Sequence, residues 1–444
     1  MKRGDISDSI PSDIINEIFF RLPAKSIARF RCVSKLWGSM LCCPYFTELF
    51  LTRSSARPRL LFWVFSSRGH GEWLFFSSPQ PQNPFDEKSS HISAANFHIK
   101  ISGDICQYSC RFSDASGLLF FQGNHFSKDD DLDTVPMICN PVTGQYAILP
   151  KLRRFVDWVS FLGFDPIDKQ FKVLFMASRY CDDDNKILTL GTGKMRWRKM
   201  NCSLSHDLFP ASKGICINGV LYYLAIRKYE TFNDEGPYVI VCFDVRSEKF
   251  KFVDAKCCGK WPLDFILINY KGKLGGIILK HASDGGFPLE LCVWVLEDVE
   301  KQQWSKYVYT LWDENKVVKV DRNLSVEGMT TTGEIVLSMR YTSKPFYVFY
   351  FNPEKNTLQS IEIKGFGEYL EALEISGAVF AFVDHVEDLN VNNTKQLRSN
   401  PLYQGLNIIR KRPKPKPKCL APYVQNKQAA AFTRNKYELL ANLE

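Results

Sequence analysis

Turn signals recur through the middle of the chain at a nearly constant interval, and that interval constrains the fold more than any other feature. Short runs rich in Asn, Asp, Gly and Pro begin at Asn140, Gly191, Asp244, Glu297 and Asn352, in steps of 51, 53, 53 and 55 residues. Each follows an apolar segment of strand length: Met137–Cys139, Ile187–Leu190, Val239–Phe243, Val293–Leu296 and Phe346–Phe351. A second series lies between them, at Asp165-Pro166, Asn218-Gly219, Lys271-Gly272 and Thr332-Gly333. Period-two stretches joined by such pairs form β-hairpins. Each interval therefore holds two hairpins, or four strands. A unit this small buries its apolar faces only against neighbours of its own kind, so the segment is an array.

Four-stranded units at this spacing are those of kelch-type propellers; a barrel or sandwich gives turn signals without the long period. From Arg57 to about Asp388 there is room for six or seven blades. The last strand, near Ala378–Val383, is placed to close the ring on the first blade and remove the exposed edges. The loops have a phase. Tight turns join first to second and third to fourth strands. The long connections Asn124–Thr134, Ala177–Lys186, Arg227–Pro237 and Lys280–Pro288 join second to third, and links between repeats, such as Asn201–Lys213, are also long. Both long sets fall on one face of a propeller, and insertions gathered on one face mark the binding side. Arg227, Lys228, Tyr229 and Phe232 are the candidate target-binding residues there, offering charge beside aromatic anchors.

Before the array, residues from about Ser9 to Phe50 read as short helices. Ser9-Ile10-Pro11-Ser12-Asp13 predicts a helix start with hydroxyl caps, an early proline and an acid at the positive end of the dipole. Ile14, Ile15, Ile18, Phe19 and Leu22 follow on one helical face, and Pro23 ends the helix. A second segment carries Ile27, Ala28 and Phe30, and a third carries Val33, Leu36, Trp37, Met40 and Leu41. A unit of about 40 residues does not bury so many large groups alone. It either completes its core against another protein or caps the domain that follows.

The continuous run from Ile10 to Trp37, with both prolines, its hydrophobic positions and its Val33-Ser34-Lys35-Leu36-Trp37 ending, resembles a plant F-box. That resemblance implies binding to the Skp-type adaptor of a cullin–RING ubiquitin ligase. It assigns the contact to Ile10, Pro11, Ile14, Ile18, Leu22, Pro23, Ile27, Phe30, Val33 and Trp37, with Leu22, Pro23 and Ile27 packed on the adaptor and Val33 and Trp37 supporting the helices from behind. Ile138-Cys139-Asn140-Pro141-Val142-Thr143-Gly144 and Gly163-Phe164-Asp165 likewise resemble the F-box-associated repeat domain of the same proteins. The expected organisation is an all-α F-box module over 1–56, an all-β propeller-like domain over 57–389 and a basic tail over 390–444.

Motifs for chemistry fail one by one. Gly191-Thr192-Gly193-Lys194 lacks the Gly at Leu188 and the Ser or Thr at Met195 that a phosphate loop needs. Asp129, Asp131 and Asp133 match the start of a calcium loop, but Thr134 and Asn140 stand where Gly and Glu are required. His91, His98, Cys106 and Cys110 match no common zinc spacing. No cofactor or metal is expected, and the chain is read as non-catalytic. No apolar run approaches the ~20 residues a bilayer needs, and Asp5, Asp8 and Asp13 stand where a secretory signal would be basic then apolar. A nuclear and/or cytoplasmic protein is expected, its 14 cysteines reduced.

The formal net charge is +9, from 57 basic and 48 acidic residues. From Gln404 onward nine basic residues face two acidic ones, so this stretch carries +7 of it. Arg410, Lys411, Arg412, Lys414, Lys416 and Lys418, interleaved with proline, predict an extended disordered rod and a nuclear-import candidate, with no broad nucleic-acid surface. The reading that unites these features is a substrate receptor: the F-box recruits the adaptor, and through it cullin and RING subunits, while the repeat domain holds an unidentified target protein. The alternative is a propeller enzyme or ligand-binding protein with a vestigial F-box.

Overall fold

The structure is a computed structural model and describes residues 11–66, 72–85, 91–102, 112–126, 132–144, 146–152, 158–177, 185–191, 195–204, 206–208, 213–227, 238–255, 265–282, 287–312, 323–365 and 377–389. Four helices come first: α1 (Ser12–Phe20), α2 (Ala24–Phe30), α3 (Lys35–Leu41) and α4 (Pro44–Ser55). The cap position of α1 falls on Pro11 and not on a hydroxyl residue, and Ser9 lies outside the described residues. Pro11 occupies the cap position without a side-chain bond, its carbonyl receiving the Ile14 and Ile15 amides, and Ser12 is the first helical residue. Ser34 does cap α3, its Oγ accepting the Trp37 amide at 3.1 Å. The fourth helix begins at Pro44 after the cap residue Cys43, proline being suited to a first turn, and buries Phe46 and Phe50.

Blade 1 is built from β1 (Arg59–Ser66), β2 (Glu72–Pro79) and, past a detour through β3 (Ile92–Ala94), β4 (Asn96–Ser102). Blade 2 is β5 (Phe112–Ala115), β6 (Leu118–Phe126), β7 (Leu132–Cys139) and β8 (Tyr146–Ile148). Blade 3 is β9 (Trp158–Asp165), β10 (Gln170–Ala177), β11 (Lys186–Thr189) and β12 (Arg198–Lys199). In blade 4, β13 (His206–Leu208) and β14 (Ile215–Ile217) both pair with β15 (Val220–Arg227), followed by β16 (Tyr238–Asp244) and β17 (Lys249–Asp254). Blade 5 is β18 (Phe265–Tyr270), β19 (Lys273–Lys280), β20 (Leu289–Asp298) and β21 (Gln303–Leu311). Blade 6 is β22 (Leu324–Met329), β23 (Ile335–Met339), β24 (Tyr347–Asn352) and β25 (Thr357–Lys364). The final strand β26 (Gly377–His385) returns to pair antiparallel with β1 and supplies the inner strand of blade 1. The ring thus has six blades and closes as the spacing predicts.

The tight turns repeat one device. The side-chain oxygens of Asn140, Asp244, Asp298 and Asn352 each accept a backbone N–H two or three residues on, which holds the turn before the fourth strand. In blade 5 the residue that does this is Asp298, not Glu297, because a bulge between Leu296 and Asp298 displaces the turn by one. The core lies between blades. Leu60, Phe62 and Val64 pack toward blades 5 and 6, while Leu61 and Trp63 pack toward blade 2. A strand buried on both faces has no polar side to show, which explains the unbroken apolar run of β1.

The segment Asn124–Thr134 is not a loop throughout: β6 and β7 stay paired out to Phe126 and Leu132, so at most residues 127–131 connect them. The strand β3 leaves the sheet of its sequence neighbours β2 and β4, although the Ser93 and Ser78 hydroxyls still meet at 2.7 Å. It runs parallel to β25 and covers the outer edge of blade 6.

Candidate functional site

The helical module packs around Phe19, Phe20, Ile27, Leu41, Phe46 and Phe50, all buried. Phe19 makes edge contacts with Phe30 and Trp37 at centroid distances of 5.2 and 5.3 Å, and Phe20 stacks on Phe46 at 4.7 Å. Val142 of the β7–β8 turn and Leu389, just past β26, complete this core. Polar ties seal the same seam. The Glu387 carboxylate accepts the Ala24 amide at 2.8 Å, and Lys25 Nζ donates to the His98 carbonyl at 2.7 Å. Burial pushes the Glu387 carboxyl up, against the pull of the Ala24 amide and of Arg59 and Arg57. Burial also lowers His98 to about 3, helped by Lys25, Arg59 and His385. The module therefore caps the ring, the alternative that the sequence left open, and it does so on the face of the tight turns.

What the module leaves uncovered is apolar. Ile14 and Ile18 stand one turn apart on α1 at 53% and 52% exposure, and Val33 and Leu36 are more exposed still. Large aliphatic groups held in water on a unit this small are what a docking surface presents.

The other face is where first strands begin and second strands end. Near the ring axis there, a pocket of about 290 Å³ is lined by Phe265 and Ile266 of β18, Ser325 of β22, Arg340 and Tyr341 past β23, Phe380 of β26, and Lys213 before β14. The inner strands crowd around the axis: β5 beside β9, β14 beside β5 and β18, β18 beside β22, and β22 beside β26. Lys213 reaches across from blade 4, its Nζ 5.2 Å from the Phe380 ring centroid of blade 1. Its charge also counteracts the desolvation inside the ring that raises the carboxyls of Glu327 and of Asp114, the latter to about 6 although its surface stays exposed. The Glu327 carboxylate is held by the Ser325 and Ser338 hydroxyls and the Ala381 amide. A second cavity of about 290 Å³ lies at the tight-turn end between blades 1 and 2, with Leu51 and Ser55 of α4 in its wall.

The family of the F-box associated beta propeller domain matches residues 59–386, and that of the F-box domain matches residues 7–49. A putative F-box protein of Arabidopsis thaliana is 56% identical over 396 residues, covering 88% of this chain and 93% of its own. F-box only protein 12 of the same plant is 47% identical over 448 residues, covering 98% and 93%. The chain belongs to the F-box proteins that carry an F-box-associated β-propeller. Among solved structures, the β-propeller domain of the Trilobed protease from Pyrococcus furiosus is similar at 11% identity and a TM-score of 0.33, covering 57% of this chain and 71% of that one, too low a score for comparison.

The F-box residues named from the sequence divide by burial. Pro11, Ile14, Ile18 and Pro23 are exposed, and Leu22, Phe30 and Trp37 are half-buried against the module's own core. Two assignments need correction. Ile27 is fully buried beneath the other helices and presents no surface to an adaptor. Val33 does not support the helices from behind, since it is 63% exposed; Trp37 does, through Phe19 and Phe30. Ile10 lies outside the described residues.

In the propeller, Arg227 ends β15 and is engaged with the Asp254 carboxylate. Lys228, Tyr229 and Phe232 lie outside the described residues, as do Arg410, Lys411, Arg412, Lys414, Lys416 and Lys418. Of the zinc-like set, His91 meets Gln359 and His98 meets Ser77, while Cys106 and Cys110 are not described. The structure also joins residues that spacing kept apart. Cys202 Sγ lies 3.9 Å from His206 Nδ1, and His206 Nε2 lies 3.1 Å from the Tyr223 hydroxyl. Burial raises the Cys202 thiol, and His206 Nδ1 lies 2.9 Å from the Leu204 carbonyl, so the group is a blade-core network. The mouth residues Lys213, Phe265, Arg340 and Phe380 were not singled out. Arg340-Tyr341 was findable, since it directly follows the second strand of blade 6, as a basic residue, Arg227, ends that of blade 4.

Proposed function

We propose that this F-box protein is the substrate-recognition subunit of an SCF-type cullin–RING ubiquitin ligase. The F-box binds the Skp-type adaptor, the propeller holds the target protein, and the complex works in the nucleus and/or cytoplasm. The receptor is non-catalytic: its partners carry out ubiquitin transfer, and it raises the effective concentration of target at the reacting centre. One observation carries this reading. The helices leave Ile14, Ile18, Val33 and Leu36 bare on a module that docks on the tight-turn face, opposite the open mouth of the ring.

The test is co-purification of the full chain with a Skp-type adaptor. Ile14→Ser with Ile18→Ser should abolish capture, because burying each isoleucine is worth ~1.5–3 kcal/mol and every 1.4 kcal/mol is tenfold in affinity. Melting should hardly change, since both side chains are exposed. Full adaptor capture by the double variant would overturn the proposal.

A further inference from the structure

The mouth of the ring holds a cation that is fixed in place and has donors to spare. The Arg340 amide donates to the Asn323 carbonyl at 2.9 Å, its carbonyl accepts the Val379 amide at 2.8 Å, and its Nε donates to the Leu324 carbonyl at 2.9 Å. Three bonds from two blades thus set the base of the side chain. The terminal guanidinium nitrogens have no hydrogen-bond or ion-pair partner among the described residues, and the side chain is exposed at the pocket. Lys213 differs, being balanced against Asp114 and Glu327. Glu327 is engaged apart from Arg340: two hydroxyls, one of them that of the pocket residue Ser325, and the Ala381 amide hold its carboxylate.

The rest of the pocket is mostly apolar and aromatic. Phe265, Ile266 and Phe380 form the wall, and Tyr341 stands at 58% exposure beside Arg340. At about 290 Å³ the pocket sits at the lower bound of the ~300–1,000 Å³ of small-ligand sites. It has room for one or two side chains. A pre-set guanidinium fork next to an aromatic recess matches an oxyanion joined to an apolar body.

We propose that this mouth reads the target by one extended peptide segment, which places an anionic group, carboxylate or phosphate, on the free fork of Arg340 and an adjacent apolar side chain between Phe265 and Phe380. The inference rests on the target-receptor reading of the propeller and adds to it the chemistry of the segment bound. Arg340 is the specificity residue, and the apolar recess supplies affinity without regard to charge.

The experiment uses the full chain co-purified with a Skp-type adaptor and four fluorescein-labelled decapeptides. All are rich in Gly and Ser, with a central Phe-Glu, Phe-phosphoserine, Phe-Gln or Phe-Lys pair, and binding is read by fluorescence polarisation. At least one anionic peptide should bind about tenfold or more tighter than the Phe-Gln peptide, as a charged hydrogen-bond pair allows. Arg340→Gln should remove that ratio and leave Phe-Gln binding and adaptor capture unchanged. Phosphoserine above Glu assigns the group to phosphate; equal binding shows that a carboxylate suffices. Should Arg340→Gln fail to fold, Arg340→Lys keeps the charge without the fork and should keep only part of the ratio. No preference for either anionic peptide, a preference that survives Arg340→Gln, or a full ratio in Arg340→Lys overturns the proposal. Adaptor capture separates the two readings. Its loss in the wild type sinks the receptor role, whereas intact capture without an Arg340-dependent ratio sinks this inference alone.

Discussion

His385 ends the closing strand opposite Arg59, buried, with its Nε2 unpartnered among the described residues. Burial first and Arg59 second lower its pKa to about 4. An unfolded chain takes up this proton near ~6.5, so between pH 6.5 and 4 the unfolded state binds more protons and stability falls as pH falls. At pH 5 the loss from this group alone is ~2 kcal/mol. His98, lowered to about 3, acts in the same direction, while Asp114, raised to about 6, acts in the opposite one. Comparison with His385→Gln isolates the histidine. Between pH 7 and pH 5 the variant should lose ~2 kcal/mol less than the wild type in urea unfolding; equal losses would show that His385 is not held neutral. In the F-box, Ile27→Ala should cost ~2–5 kcal/mol of stability through its cavity, whereas Ile18→Ala should cost under ~0.5 kcal/mol and weaken adaptor capture instead. Periodicity gave Ile14, Ile18 and Ile27 as apolar helical positions. It did not separate outward from inward ones, because that depends on α4 and on two propeller residues, Val142 and Leu389, far away in sequence.

Among the elements, the ring was legible wherever a local chemical device repeats. Asn140, Asp244 and Asn352 each fold their own turn, so their period survives any change in the surrounding strands. The closing strand was also legible, as the apolar segment left over after the last turn. What escaped were features that depend on distant partners: β3, three residues too short to show a period, and the continued pairing of β6 with β7 beyond Asn124. Closure itself depends on how tightly β26 meets β1. A Cβ on Gly377 would run into the Phe65 carbonyl, a clash with backbone that no side-chain rotation relieves. Gly377→Val should therefore lift the start of β26 from β1 and lower stability by ~1–3 kcal/mol or more. Amide exchange should quicken in β26 and β1 while β16 stays protected. Unchanged exchange in β26 would mean that the seam tolerates the extra atoms.

At the scale of the whole molecule, the two ends of the ring present different surfaces, and the seam under the helices decides whether they move as one body. The module's core is incomplete without Val142 and Leu389, and the Ala24 amide has Glu387 as its acceptor. A unit of ~40 residues draws little stability from its own core, so the helices should not outlast the ring on heating. The full chain should then melt in one calorimetric transition, with the helical circular dichroism lost at the same temperature. Glu387→Gln keeps an oxygen for the Ala24 amide and sheds a charge that burial disfavours, so it should melt like the wild type. Glu387→Ala with Leu389→Ala strands a buried amide, at ~1–3 kcal/mol, and opens a cavity at ~2–5 kcal/mol. In that variant the helical signal should disappear first, in a separate transition below the main one. Two transitions in the wild type, or an unsplit melt in the double alanine variant, would show that the seam does not couple the parts. Coupling has a functional consequence. Helices fixed to the tight-turn face hold whatever binds Ile14 and Ile18 at a set orientation to a peptide seated at Arg340. The same double alanine variant should therefore bind adaptor and anionic peptide separately, yet the ligase assembled on it should ubiquitinate a captured target more slowly than that assembled on the wild type.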